Sequence, residues 1–258
     1  MEIINFEIIL NQNLNMKKTH FLVVLFLCIS FSVCKAQENF QPGYAILNDG
    51  TRLAGLIKIY DDAPWYNQRF IFLKDSAAFA TNPNVRAKKY KVDDLKFYQV
   101  GSRAFDKVHY VDMENLQIKS LGTNDHMMER LAIGRINAHR FYAYPPDVYA
   151  GTEDAVKEQE ARDKNDRFNG YKILTQKDNA GKLQNAFDYD LQKYFEDTPE
   201  VLQKYQSGGY GNQPIVAKKG LAARMIAAAK KTAFKPQEAD AIVAAFNDYN
   251  GKNAGKRQ

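Results

Sequence analysis

Residues 16–36, MKKTHFLVVLFLCISFSVCKA, constrain the fold more than any other stretch, because they hold both cysteines of the chain and have the makeup of a removable export leader. Lys17 and Lys18 supply the positive start, an apolar run covers 21–33, and Ala36 is a small residue at the cut. The run is shorter than the roughly 20 apolar residues a bilayer-crossing helix needs. Residues 1–15 stand before the positive start, so Met16 is the expected true first residue and 1–36 the segment to be removed. Cleavage near Ala36 takes Cys28 and Cys34 away, and no transmembrane segment is then expected in the mature chain. A fold without thiols has no disulfide, no cysteine metal site and no cysteine nucleophile. Two readings compete: a retained anchor, and a lipid on Cys34, which Val33 disfavours because lipoprotein processing wants a small residue there.

The chain from Gln37 onward is long enough for one large domain or two small ones, and with 45% hydrophobic and 12% aromatic residues overall it can bury a core. The formal charge of +6 falls by one when Lys17, Lys18 and Lys35 leave with Glu2 and Glu7. Arg86, Lys88, Lys89, Lys218, Lys219, Lys230 and Lys231 are scattered and mixed with acids, so no nucleic-acid partner is expected.

Patterning divides the mature chain into a β-rich part at 37–146, a charged connector with a small hairpin at 147–188, and a helical part at 189–258. In GYAILNDGTRLAGLIKIY, Asn48, Asp49 and Gly50 accept positive φ between two strand-like runs, and Leu53, Ile57 and Ile59 share the buried face. Residues 69–73, RFIFL, are apolar on both faces and suit a central strand; the DSAAFATNPN that follows reads as loop. KKYKVDDLKFYQVG reads as strand, tight turn at Asp93 and Asp94, and strand at 95–100. Further strands are expected at 107–113 and within 127–144, interrupted at Gly134. Such spacing predicts an antiparallel barrel-like or sandwich domain followed by a small helical part, an α+β fold.

The connector EDAVKEQEARDKNDR is a solvated helix or a mobile insertion. Asp178, Asn179 and Gly181 turn a hairpin between 171–175 and 182–186. Helices follow: Pro199 opens one striped by Val201, Leu202 and Tyr205, Leu221 to Ala229 line a second, and Pro236 opens a third with Ala239, Ile242, Val243 and Phe246 buried. Asn250 and Gly251 are expected to close it, with a frayed tail beyond.

Taken in order, GYAILNDGTRLAGLIKIY, KKYKVDDLKFYQV, ERLAIGRINAHRFY, YFEDTPEVLQKY and IVAAFNDYN resemble a family of secreted envelope proteins of Bacteroidota that carry no assigned activity. The resemblance implies an exported protein with a β-rich front and a helical back. It implies no reaction and no catalytic residues. The charged stretch at 153–167 and the lysine-alanine stretch at 213–235 depart from the family pattern, which puts a shared partner in doubt.

Candidate chemistry is sparse. Asp125, His126 and Glu129 form the best local metal-ligand cluster, without an HExxH spacing to support it. Asp61 with Asp62 and Asp93 with Asp94 read as turn formers rather than glycosidase pairs, and no GxSxG elbow or phosphate loop is present. Aromatics offer the other site: Trp65 and Tyr66 beside Pro64, and Phe141 with Tyr142 at the end of the β region, as exposed rings for a sugar or a protein. The sequence therefore predicts a non-catalytic binding or structural module, periplasmic or associated with the outer membrane. It needs no cofactor, and its partner is an envelope protein or cell-surface component. An envelope hydrolase, metal-dependent through Asp125, His126 and Glu129, is the alternative.

Overall fold

The computed structural model describes residues 39–113, 124–146, 148–215 and 236–255. The chain divides into two compact units, Met1–Phe40 and Gln41–Gln258. All but the last two residues of the first lie outside the described residues, as do the expected leader, both cysteines and the helix expected at 221–229. The architecture is therefore that of the second unit.

That unit is a sheet-rich α+β fold. Among the described residues, ten strands form one sheet in the order β10-β9-β8-β7-β6-β5-β1-β2-β3-β4. It is a single sheet whose ladder does not close, so the expected barrel or two-sheet sandwich is not what the hydrogen bonds show. β1 (Phe40–Leu47) and β2 (Arg52–Lys58) form the expected hairpin. Gly50 turns it at φ +88°, and Asp49 Oδ1 accepts from the Thr51 amide at 2.8 Å. Ile57 and Ile59 are buried as the alternation requires.

β3 (Phe70–Asp75) follows a short helix α1 (Trp65–Arg69) and lies between β2 and the edge strand β4 (Lys88–Lys91). Only Ile71 and Leu73 enter the core; Phe70 and Phe72, on the other face, stay half-exposed. The stretch expected as loop holds a helix, α2 (Ser76–Thr81), which Asp75 caps by accepting from the Ala77 and Ala78 amides, each at 3.0 Å. It buries no residue, so no apolar stripe announced it.

The turn at Asp93 and Asp94 is real, a 3-10 turn over Val92–Asp94, but it does not make a hairpin. β4 pairs with β3, whereas β5 (Leu95–Val100) pairs with β1 on one side and β6 (Arg103–His109) on the other. Four flat inter-strand steps would separate β4 from β5 by roughly 19 Å. The link from Lys91 to Leu95 spans roughly 14 Å at most. The front strands must therefore curl, and they do so around Ala45, Ile57, Ile71, Leu73, Val92, Leu95 and Tyr98.

β6 begins earlier than the expected 107, directly after a turn at Gly101 with φ +55°. β7 (Asp125–Ala132) and β8 (Ile136–Phe141) flank Gly134 as predicted. β9 (Lys172–Lys177) and β10 (Gln184–Asn185) form the second expected hairpin, with Asp178 and Asn179 at φ +55° and +54°, and β9 extends the same sheet by pairing with β8. Of the two readings of the connector, the helix holds: α3 (Glu153–Asn169) buries nothing and carries i,i+4 ion pairs such as Lys157 to Glu153 at 2.6 Å.

The helical back consists of α4 (Gln192–Phe195), α5 (Pro199–Gln206) and α6 (Pro236–Lys252). Phe195, Val201, Ile242, Phe246 and Tyr249 pack against Ile136, Ala138 and Ile173 of the sheet. The closing signal at Asn250 and Gly251 is not a stop, because both lie inside α6 and Asn250 is buried. The tail is docked at least to Asn253, whose Nδ2 donates to Thr198 Oγ1 and to the Tyr249 carbonyl, each at 2.9 Å.

Candidate binding surface

The four aromatics singled out by the sequence do not form one exposed site. Trp65 and Phe141 are each 1% exposed and Tyr142 7%, all in one buried cluster with Met128 and Leu174. Their exposure, on which a recognition role depended, is absent because α1 and the segment after β8 fold over each other. Gln68 of α1 donates to the Tyr142 carbonyl at 2.8 Å and accepts from its amide at 2.7 Å. Tyr66 alone, 40% exposed, presents its ring.

Asp125, His126 and Glu129 do not converge either. Successive strand residues face opposite ways, so Asp125 and Glu129 share a face that His126 does not. Asp125 Oδ1 meets His109 Nδ1 at 2.9 Å, and Glu129 is held by Arg103 and Arg140. Among the described residues no group of three or more His, Cys, Asp or Glu is placed to hold a metal.

His126 is instead a core residue. Its Nε2 donates to the Tyr110 carbonyl at 3.1 Å, which fixes the neutral tautomer and leaves Nδ1 to accept from the Tyr144 hydroxyl at 2.9 Å. Burial, with the Arg69 charge as a lesser cause, depresses its pKa to about 4, against Tyr110 and the acids nearby. Burial also pushes the Tyr144 hydroxyl up to about 12 and keeps it a donor. The unfolded chain therefore takes up this proton first as pH falls. Stability should drop by about 3 kcal/mol between roughly pH 6.5 and 4, with no such drop above that window. Urea unfolding across pH checks this; His126→Gln, which keeps an amide donor and acceptor, should flatten the acid limb.

A second imidazole lies on a neighbouring strand. Asp106 receives Arg130 Nε at 2.7 Å and a further close contact from Arg130 Nη2, and sits 3.0 Å from His139 Nε2. Burial works against the Asp106 charge, but the His139 and Arg130 hydrogen bonds win and hold its pKa at about 2. These contacts tie β6, β7 and β8 together on one face.

The exposed aromatic surface lies elsewhere, on the outer face of the curled front strands. Tyr60, Tyr66, Phe70 and Phe72 form a contiguous row, with ring centroids 5.5 Å apart for Tyr60 and Tyr66, 6.0 Å for Tyr66 and Phe70, and 5.6 Å for Phe70 and Phe72. The Lys89 ammonium lies 3.8 Å from the Phe70 centroid and 5.8 Å from that of Phe72, and Lys58 stands 5.2 Å over Tyr60. Register puts Lys91 opposite Phe70 and Lys89 opposite Phe72 on the edge strand. The simplest account of the lysines is protection of an open sheet edge from pairing with another chain. It does not account for four neighbouring rings left half-covered beside them.

Only Tyr66 of this row was identified from sequence. The available signal was RFIFL: a strand apolar on both faces demands a cover for each, and among the described residues Phe70 and Phe72 on the outer face stay only partly covered. No family model, curated protein or solved structure matches this chain.

Proposed function

We propose that this chain is an exported, non-catalytic envelope protein that acts as a binding module and docks through the outer face of β2–β4. One observation carries the reading: a continuous row of partly exposed rings, Tyr60, Tyr66, Phe70 and Phe72, flanked by lysines. Contiguous apolar surface of this kind on a folded chain is characteristic of interaction sites, and rings with polar tips suit a surface that is apolar in part and wet in part. The leader composition of residues 16–36 and the resemblance to secreted Bacteroidota envelope proteins supply the location, periplasmic or at the outer membrane. The partner is then an envelope protein or cell-surface component.

Co-sedimentation with washed cell envelopes tests this. The protein should pellet with them, and the double variant Tyr66→Ser with Phe72→Ser should pellet at least about tenfold less at unchanged melting temperature, since each ring removes roughly 1–2 kcal/mol of contact. Equal pelleting of the two proteins would sink the proposal.

A further inference from the structure

We propose that the occupant of this face is the surface of an anionic lipid bilayer, an inference that rests on the docking reading above. Shape is the first argument. The front strands curl with their core on the inside, so the ring-bearing outer face is convex. Small ligands and sugars are gripped by concave sites, which a convex face does not offer. A broad, deformable, planar partner is what a convex patch of rings can press into.

Charge is the second argument. The outer positions of β2, β3 and β4 carry Lys58, Lys74, Lys89 and Lys91, and the three strands contain a single carboxylate, Asp75, which is engaged in capping α2. Asp61 and Asp62 lie in the loop beyond β2, at the Tyr66 end, and Asp61 is paired with Arg103 at 3.4 Å. The lysines farthest from these acids are on β4, where the Lys89 ammonium lies 3.8 Å from the Phe70 ring. Lysines with ammonium groups above rings match a layer in which phosphates overlie the start of the acyl chains: the rings enter the boundary and the ammoniums stay with the headgroups.

The edge strand argues against the nearest rival, an apolar peptide added as a further strand. β4 reads Lys-Lys-Tyr-Lys, and lysine-rich edges resist strand addition. The same lysines are favourable beside anionic headgroups.

The test is vesicle co-sedimentation of the protein in the form its cells mature it. The probes are vesicles of phosphatidylglycerol and phosphatidylcholine at a 3:7 ratio, and vesicles of phosphatidylcholine alone. Binding should be stronger to the anionic vesicles by at least about tenfold, weaken with added salt, and fall by about fivefold for each lysine neutralised, so about 25-fold in Lys89→Gln with Lys91→Gln. Loss of two exposed lysines of the helical back, Lys193→Gln on α4 with Lys204→Gln on α5, should leave binding unchanged. Equal binding to both vesicle types, or equal loss in the two lysine pairs, overturns the lipid assignment. If vesicles are not bound while Tyr66→Ser with Phe72→Ser still abolishes envelope binding, the docking face stands and its occupant is not lipid. If neither assay responds to any of these variants, the docking reading falls with it.

Discussion

Glu129→Ala is expected to lower the stability of the fold by about 3 kcal/mol, the lower end of what breaking a buried ion pair costs. The Glu129 side chain is 12% exposed and sits between two arginines on one face of β6, β7 and β8. Its Oε1 accepts from Arg103 Nε at 2.9 Å, and its Oε2 accepts from Arg103 Nη2 at 3.2 Å and Arg140 Nη1 at 3.1 Å. Deleting the carboxylate leaves two guanidinium groups facing each other, with only the exposed Asp61, 3.4 Å from Arg103, as a remaining counter-charge. Each keeps roughly a quarter to a third of its surface in water, which is why the lower end of the range applies. Removing all three charges should behave differently, because an apolar replacement avoids desolvating any ion. Arg103→Met with Glu129→Leu and Arg140→Met should recover most of the loss in urea unfolding. If Glu129→Ala alone costs nothing, the triad is a surface arrangement rather than a joint between strands.

Asn250→Ala should cost about 2–4 kcal/mol through a different mechanism. The Asn250 amide reaches from α6 to the first residue of β8, where its Oδ1 accepts from the Ile136 amide at 2.8 Å and its Nδ2 donates to the Ile136 carbonyl at 2.7 Å. It thereby completes the hydrogen bonding of a backbone position that is buried and that no neighbouring strand completes from this side. Truncation strands both groups away from water. Gly134 supports the same clasp by close approach: a Cβ there would stand 2.6 Å from Asn250 Cγ. Gly134→Ala should therefore displace the amide and reproduce part of the Asn250→Ala loss, with less than additive effects in the double variant. Hydrogen exchange at the Ile136 amide, fast in either variant and slow in the parent, checks the mechanism; slow exchange in Asn250→Ala would show that the amide is protected by something else.

Much of this architecture was legible. The hairpins at Asn48–Gly50 and Asp178–Gly181 carry their own turn chemistry, and the stripe of Ala239, Ile242 and Phe246 needs only its spacing to be read as a buried helix face. The helix at Ser76–Thr81 was missed because its sole signal is a cap, Asp75, on a segment that buries nothing. The candidate site was legible in one residue, Tyr66. Trp65, beside Pro64, and Tyr142, at the end of the β region, are candidates for exposed rings from sequence, yet Gln68 ties their two segments together across a long separation in sequence.

Alternation, turn residues and helical spacing are properties of a few neighbouring residues, and they determined which segments of this chain are strands, where most of them bend, and which face of each is apolar. Pairing is not local. KKYKVDDLKFYQV looks like a hairpin from within, and only the competing partners β3, β1 and β6 send its two arms to separate places and force the sheet to curl. The same holds for Phe70 and Phe72: the sequence makes them apolar, but whether an apolar face is covered depends on what the rest of the chain lays over it, and here the C-terminal helices α4, α5 and α6 pack with residues of β7, β8 and β9 instead.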